Sequence, residues 1–224
     1  MTPHPVILTD VPSTPPAGRD DDAPRRRYDT ASLLDLAVQV FTERGYDGTS
    51  MGDLAQASGL SKSSLYHHFD SKEQLLRAAL DRAVEPLFAV VDEPPARSGR
   101  AIDRLEHVVR REVQVLAEQL PSVTLLLRVR GNTATERWAL DRRREFDKLV
   151  ADLVARAAAE GDVRTDVDAG LVSRLLFGMI NSLVEWYRPD ETGAKPRRGT
   201  SVRTVGVAEL ADAVVRLAFD GLRR

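Results

Sequence analysis

Apolar positions recur every three or four residues along most of this chain, and no stretch alternates residue by residue. That period belongs to helices. After Tyr28, the residues Leu33, Leu34, Ala37, Val38, Val40 and Phe41 form one apolar face, and Arg44-Gly45 ends it, glycine being suited to close a helix. Thr49-Ser50 restarts the pattern, with Asp53 three residues after Ser50 in the manner of a capping box. Met51, Leu54, Ala55 and Ala57 then predict a short helix. Ser58-Gly59-Leu60 reads as a turn. Ser61 caps a third helix that runs to His67 or His68 with Leu65 facing inward. Ser71 or Asp70 caps a long helix reaching Val91.

Pro94-Pro95 and Ser98-Gly99 mark the clearest internal boundary. Beyond it the pattern predicts helices over 100–119, 122–131, 133–160, 166–188 and 206–221. The breaks carry Pro121, Gly131-Asn132, Gly161-Asp162 and the Gly-, Pro- and Arg-rich stretch 189–200. At the other end, Pro3, Pro5, Pro12, Pro15, Pro16 and Pro24 with Asp20-Asp21-Asp22 make a tail that cannot pack a core. The expected organisation is a disordered tail over 1–26, a helix-turn-helix domain over 27–73 and a helical domain over 74–224.

Composition supports an all-α protein and narrows the chemistry. Of the 224 residues, 42% are apolar but only 5% aromatic, with Ala, Leu and Val dominant. There is no cysteine, which excludes disulfides, Cys-ligated zinc, iron–sulfur clusters and thiol nucleophiles together. The balance of 32 basic against 34 acidic side chains argues against non-specific coating of nucleic acid. It leaves room for a reader of DNA with few, placed cations. No run reaches the ~20 apolar residues of a membrane span, and the first ten residues lack the basic region of a secretory leader. The expected location is cytoplasmic.

The stretch Gly45 to Lys72 places two short helices around a tight turn at Gly59. That is the layout of a helix-turn-helix, whose second helix enters the major groove. The outer side of this second helix reads Ser61, Lys62, Ser63, Ser64, Tyr66, His67. Hydroxyls donate to phosphates or base edges, lysine reaches guanine or phosphate, and tyrosine touches sugar-phosphate or a thymine methyl. Thr49 and Ser50 put hydroxyls at a helix start, where phosphate is favoured, although both also read simply as caps. His67-His68 is the only histidine pair, and neighbours on a helix point about 100° apart, a poor chelate. No phosphate loop, G-x-S-x-G or H-E-x-x-H occurs. Neither a metal, a cofactor nor an enzyme activity is expected.

The segment Ala31 to Leu80 resembles the N-terminal domain of TetR/AcrR-family transcriptional regulators. The resemblance lies in A-x-x-x-F-x-x-x-G-Y-x-x-T-S (Ala37 to Ser50), D-L-A-x-x-x-G-L-S-x-S-x-L-Y-x-H-F (Asp53 to Phe69) and S-K-E-x-L (Ser71 to Leu75). It implies a three-helix DNA-binding domain, a C-terminal helical ligand-binding and dimerisation domain, a homodimer, and a repressor that leaves its palindromic operator when an effector binds. It also implies DNA contacts at Thr49, Ser50, Lys62, Ser63, Ser64, Tyr66, His67 and Lys72. Arg25-Arg26-Arg27 reads either as a basic arm along DNA or as a solvated charge run.

The helix expected over 166–188 is apolar around most of its circumference, and 206–221 has a wide apolar face. Such helices are buried on more than one side, which suits a four-helix dimer bundle. The candidate ligand-binding residues are Leu126, Arg130, Trp138, Phe146, Phe177, Asn181 and Trp186. Asn181 is a lone amide in an apolar helix and needs a partner. Between 121 and 150, Arg128, Arg130, Arg137, Arg142, Arg143, Arg144 and Lys148 outnumber Glu136, Asp141, Glu145 and Asp147. Apolar walls with an arginine-rich mouth suit an amphipathic anion such as an acyl-CoA. The runs LLLRVRGNTATERWALDRRREFD and FGMINSLVEWYRP also resemble the TetR-type regulators that sense CoA thioesters. Two rivals remain: a TetR-type sensor of a hydrophobic non-CoA molecule or drug, and a helical enzyme or scaffold with an incidental helix-turn-helix.

Overall fold

The computed structural model describes residues 29–188 and 205–223. The expected tail over 1–26, Arg25-Arg26-Arg27 and the stretch 189–200 lie outside them. Among the described residues there are eleven helices and no strand, apart from one isolated bridge between Val163 and Arg223.

The first three helices are set by local caps. Helix α1 spans Thr30–Arg44, with the Asp29 side chain accepting from the Ser32 amide, and Gly45 closes it at φ 80°. Helix α2 spans Met51–Ser58 under a reciprocal Ser50–Asp53 capping box. Gly59 ends α2 at φ 68°, its N–H donating to Ala55 and Gln56 carbonyls; glycine adopts this left-handed conformation without a Cβ clash. Helix α3 spans Lys62–Tyr66 behind the N-cap Ser61. Leu33, Leu34, Phe41, Leu54 and Leu65 are buried between these helices and the start of α4.

Helix α4 spans Lys72–Asp92, capped by Ser71. It carries a proline at 86 within its length and packs against α1 on one side and the later helices on the other. The prolines at 94 and 95 do not open a linker. They start a short helix, α5 (Pro94–Arg97), and proline is compatible with a first helical turn. Glu93 is tied back to α6 (Ala101–Glu118), accepting from Arg111 at 3.0 Å and lying 2.6 Å from His107 Nε2. The same rule moves the start of α7 (Leu120–Arg128) ahead of the expected 122, because Pro121 sits inside its first turn.

Helix α8 spans Ala134–Ala159 under a Thr133–Glu136 capping box. The helix expected over 166–188 is instead two: α9 (Ala169–Asn181), capped by Asp168, and α10 (Leu183–Trp186). Ser182 marks the break, and its hydroxyl donates to the Met179 carbonyl at 2.7 Å. Such back-bonding competes with the helical ladder. Helix α11 (Val207–Leu222) packs mainly on α6, and α9 mainly on α8. Leu171 and Leu175 on α9 and Leu217 on α11 stay exposed at 49%, 62% and 75%.

Four contacts join the first three helices and α4 to the helices behind them, and a fifth holds α4 to α1. Arg128 donates to the Thr42 carbonyl at 2.8 Å and Asn132 to the Asp47 carboxylate at 2.8 Å. Glu73 accepts from the amide and hydroxyl of Thr135 at 3.2 and 3.0 Å. Arg82 pairs with Asp35 across α4 and α1, and the Arg77 guanidinium lies 3.5 Å over the Trp138 ring.

Candidate DNA-binding surface and ligand cavity

Helix α3 presents Lys62, Ser63, Tyr66 and His67 to solvent, with Leu65 as its buried anchor. Tyr66 is 44% exposed, unusual for a ring with no structural task. The Ser61 hydroxyl accepts from the Ser64 amide at 3.0 Å and shares a hydrogen bond with the Ser64 hydroxyl at 2.8 Å. Ser64 therefore helps to begin α3, and its side chain is half-buried.

The other three expected contacts are engaged within the protein. Thr49 is buried, and its hydroxyl donates to the Gly45 carbonyl at 2.8 Å. The Ser50 hydroxyl donates to Asp53 at 2.6 Å while accepting from the Asp53 amide at 3.1 Å. The Ser50 hydroxyl and the Ser50 amide, which donates to the same carboxylate at 2.7 Å, hold the Asp53 carboxyl below its ordinary range. Lys72 reaches back to donate to the carbonyls of Tyr46 at 2.9 Å and Thr49 at 2.8 Å. Its ammonium also sits 4.1 Å from the centroid of the Tyr46 ring. A cation so placed ties the α1–α2 loop to α4.

The second site is a cavity of about 290 Å³ lined by five helices and open on one side. Helix α4 gives Ala83 and Leu87, α6 gives Glu112, Val115 and Leu116, and α7 gives Val123, Leu126 and Leu127. Helix α8 gives Leu140, Arg143, Arg144, Phe146 and Asp147, and α9 gives Phe177 and Asn181. Phe146 packs edge-on against Phe88 at 5.6 Å and Phe177 at 5.9 Å, fixing one wall. Arg142 covers Phe88 from outside at 3.5 Å.

Of the seven expected ligand residues, Leu126, Phe146, Phe177 and Asn181 line this cavity. Arg130, Trp138 and Trp186 do not. Arg130 is exposed beyond the end of α7. Along α8 the cavity stripe is Leu140, Arg143, Arg144, Phe146 and Asp147, at the three- and four-residue spacing of one helix face. Trp138 stands off that stripe and lies beneath Arg77. Trp186 follows the break at Ser182, is 46% exposed and meets only Tyr187 among the described rings, at 6.5 Å.

The residue that sequence reading passed over is Glu112. It lies on the apolar face of α6 and is 6% exposed. Burial pushes its carboxyl well above the ordinary glutamate range, and the Asp147 carboxylate adds to the shift. Burial also raises Asp147, against the pull of Arg174 and Arg143, and lowers Arg143. The one sequence signal was a carboxylate spaced four from Val108 and Leu116, in step with the buried positions of α6.

Comparison with known proteins places this architecture. Residues 33–79 match the family described as bacterial regulatory proteins, tetR family, and residues 98–195 match the tetracyclin repressor-like C-terminal domain. The HTH-type transcriptional repressor KstR2 of Rhodococcus jostii (strain RHA1) is 31% identical over 179 residues, covering 79% of this chain and 87% of that protein. The chain belongs to the TetR family of transcriptional regulators. Among solved structures, SCO3833 of Streptomyces coelicolor A3, a TetR-family member, shares 61% identity over 86% of this chain and 91% of its own, with a TM-score of 0.76. AibR in complex with isovaleryl coenzyme A and operator DNA has a TM-score of 0.67 over 85% of this chain and 97% of its own. At 23% identity that is a likeness of fold.

Proposed function

We propose that this protein is a homodimeric repressor that reads a palindromic operator through α3 and leaves it when an acyl-CoA thioester enters the cavity. The observation that carries the reading is the pairing of two features through α4. Lys62, Ser63, Tyr66 and His67 stand exposed at one end, and the cavity borders Ala83 and Leu87 at the other. Lys62, Tyr66 and His67 contact phosphates and base edges, while Thr49, Ser50 and Lys72 set the angle at which α3 is offered.

The exposed leucines at 171, 175 and 217 support a second copy as the covering partner, since soluble monomers avoid such apolar patches. Two recognition helices then address half-sites about one helical turn apart. Effector binding moves the walls on α4 and α7. Arg128, at the end of α7, carries that movement to Thr42 on α1. The effector favours the subunit arrangement whose α3 spacing no longer fits DNA.

A cavity of about 290 Å³ takes an acyl chain and leaves the nucleotide outside, beside the Arg144 end. The same volume supports a second reading, a small hydrophobic effector without CoA. Calorimetry on the full chain with acyl-CoAs, the matching free acids and cationic drugs separates them. Release of an operator, selected from a random DNA pool, is measured in parallel. Acyl-CoAs are expected to bind and release DNA where free acids do not. A response to cationic drugs alone would defeat the thioester reading, and no retention of any DNA would defeat the repressor.

A further inference from the structure

Glu112 is a polar side chain without a partner among the described residues. Its carboxyl makes no hydrogen bond or ion pair among the described residues, yet the residue is 94% buried by its 6% exposure. Its oxygens are also not among the side-chain atoms that are both sealed and unpartnered, which among the described residues are Thr42 Oγ1 and Asp162 Oδ2. They keep access to the cavity that Glu112 lines. A buried acid left unpaired costs stability and calls for a reason.

The polar groups facing Glu112 are Arg143, Arg144 and Asp147 on α8 and Asn181 on α9; the lining of α4 and α7 is wholly apolar. They form a gradient. Glu112 is buried, Arg143, Asp147 and Asn181 are half-buried, and Arg144 is exposed and paired with Asp141 at 2.7 Å. An anionic group therefore belongs at the Arg144 end, and the inner end offers a neutral acid among apolar walls. An ionised Glu112 would face Asp147 without a cation in contact, so the uncharged O–H form is the one that fits.

We propose that the effector carries an uncharged oxygen acceptor, a ketone, within its apolar part, and that Glu112 donates a hydrogen bond to this oxygen at the inner end of the cavity. This rests on the cavity being the effector site. A site built around a buried donor rejects an analogue that lacks the matching acceptor far better than an apolar pocket rejects an extra methylene.

The test uses two matched pairs on the full chain by calorimetry. One is nonanoyl-CoA against its analogue with a ketone at the penultimate carbon. The other is nonane against methyl heptyl ketone. The ketone of at least one pair is expected to bind about tenfold more tightly than its parent. Glu112→Gln, whose amide still donates, should keep that preference, and Glu112→Leu should erase it. Without added ligand, Glu112→Leu should melt above the wild type, because it removes an unpaired buried acid. The infrared C=O stretch of a protonated carboxylic acid should be present in the wild type and lost in Glu112→Gln.

Equal binding of ketone and parent would overturn the proposal while leaving an acyl-CoA repressor intact. Tighter binding of heptylamine than of the ketone would overturn it too, since the acid would then be ionised. A lower melting temperature for Glu112→Leu would assign the residue to the fold and overturn it. Preference for the free ketone with no CoA ester bound would keep this proposal and sink the thioester reading. Binding of no probe would overturn both.

Discussion

Around α1–α3, the hydroxyls that cap and close the short helices are held by partners close in sequence. Ser50 meets Asp53, Ser61 meets Ser64, and Thr49 meets Gly45. In the cavity, Glu112 faces Asp147 and Asn181, brought together from three helices. The first region spends its polar groups on shaping short helices and leaves a few side chains of α3 free for an outside partner. The second hides polar groups without satisfying them. Local capping makes a surface that is legible and tolerant, whereas a cavity assembled from five helices depends on the packing of all of them. The proposed function places its contacts, in each region, at the groups that region leaves unpaired.

The largest test of that contrast is Phe146→Ala. Phe146 is 1% exposed and holds Phe88 and Phe177 in place. Denaturant titration should show a loss of about 3–5 kcal/mol, together with loss of cavity binding. A loss below 1 kcal/mol, on the order of a surface change, would mean the cavity wall is not a packed unit. The converse is Lys62→Ala with Tyr66→Ala. Two exposed contacts should cost operator affinity about a hundredfold or more and leave the melting temperature almost unchanged. Operator binding that survives both changes would remove α3 as the reading surface.

Lys72→Met falls between these extremes. It takes a charged donor from the carbonyls of Tyr46 and Thr49 and should cost about 2 kcal/mol of stability. Effector affinity should hold while DNA affinity falls, since α3 loses its fixed angle. Affinity for DNA that falls with no change in stability would instead make Lys72 a direct contact. Finally, pH acts on Glu112. Its folded form holds the proton more tightly than the unfolded chain. Stability is therefore full below the ordinary glutamate range and declines as pH rises through and above it. The slope is at most ~1.4 kcal/mol per pH unit for one proton. Melting curves of wild type and Glu112→Gln should converge at low pH and separate as pH rises, with the variant the more stable. Parallel curves would show that Glu112 titrates alike in the folded and unfolded states.

The caps at Ser50, Ser61 and Ser71 and the turn at Gly59 were all readable because each is decided by residues three or four apart. Short motifs also carried the family. Leu126, Phe146, Phe177 and Asn181 were legible as inward-facing positions. Trp138 was not separable from Phe146 by type or spacing, because which face of α8 meets α4 depends on where α4 lies. Trp186 was misplaced by reading one helix through Ser182, where α9 ends and α10 begins.

The sequence by itself determined the helical period, the helix starts and the polar outer side of α3, since these follow from local backbone hydrogen bonding and side-chain spacing. Only the tertiary structure decided that Lys72 clamps a loop 23 and 26 residues away. It alone decided that Glu112 is buried with no partner among the described residues, and that the arginines at 143 and 144 face the cavity while Arg130 does not. Burial and distant contacts are properties of how helices pack. A pattern along one helix records which side is apolar and leaves open which neighbour covers it.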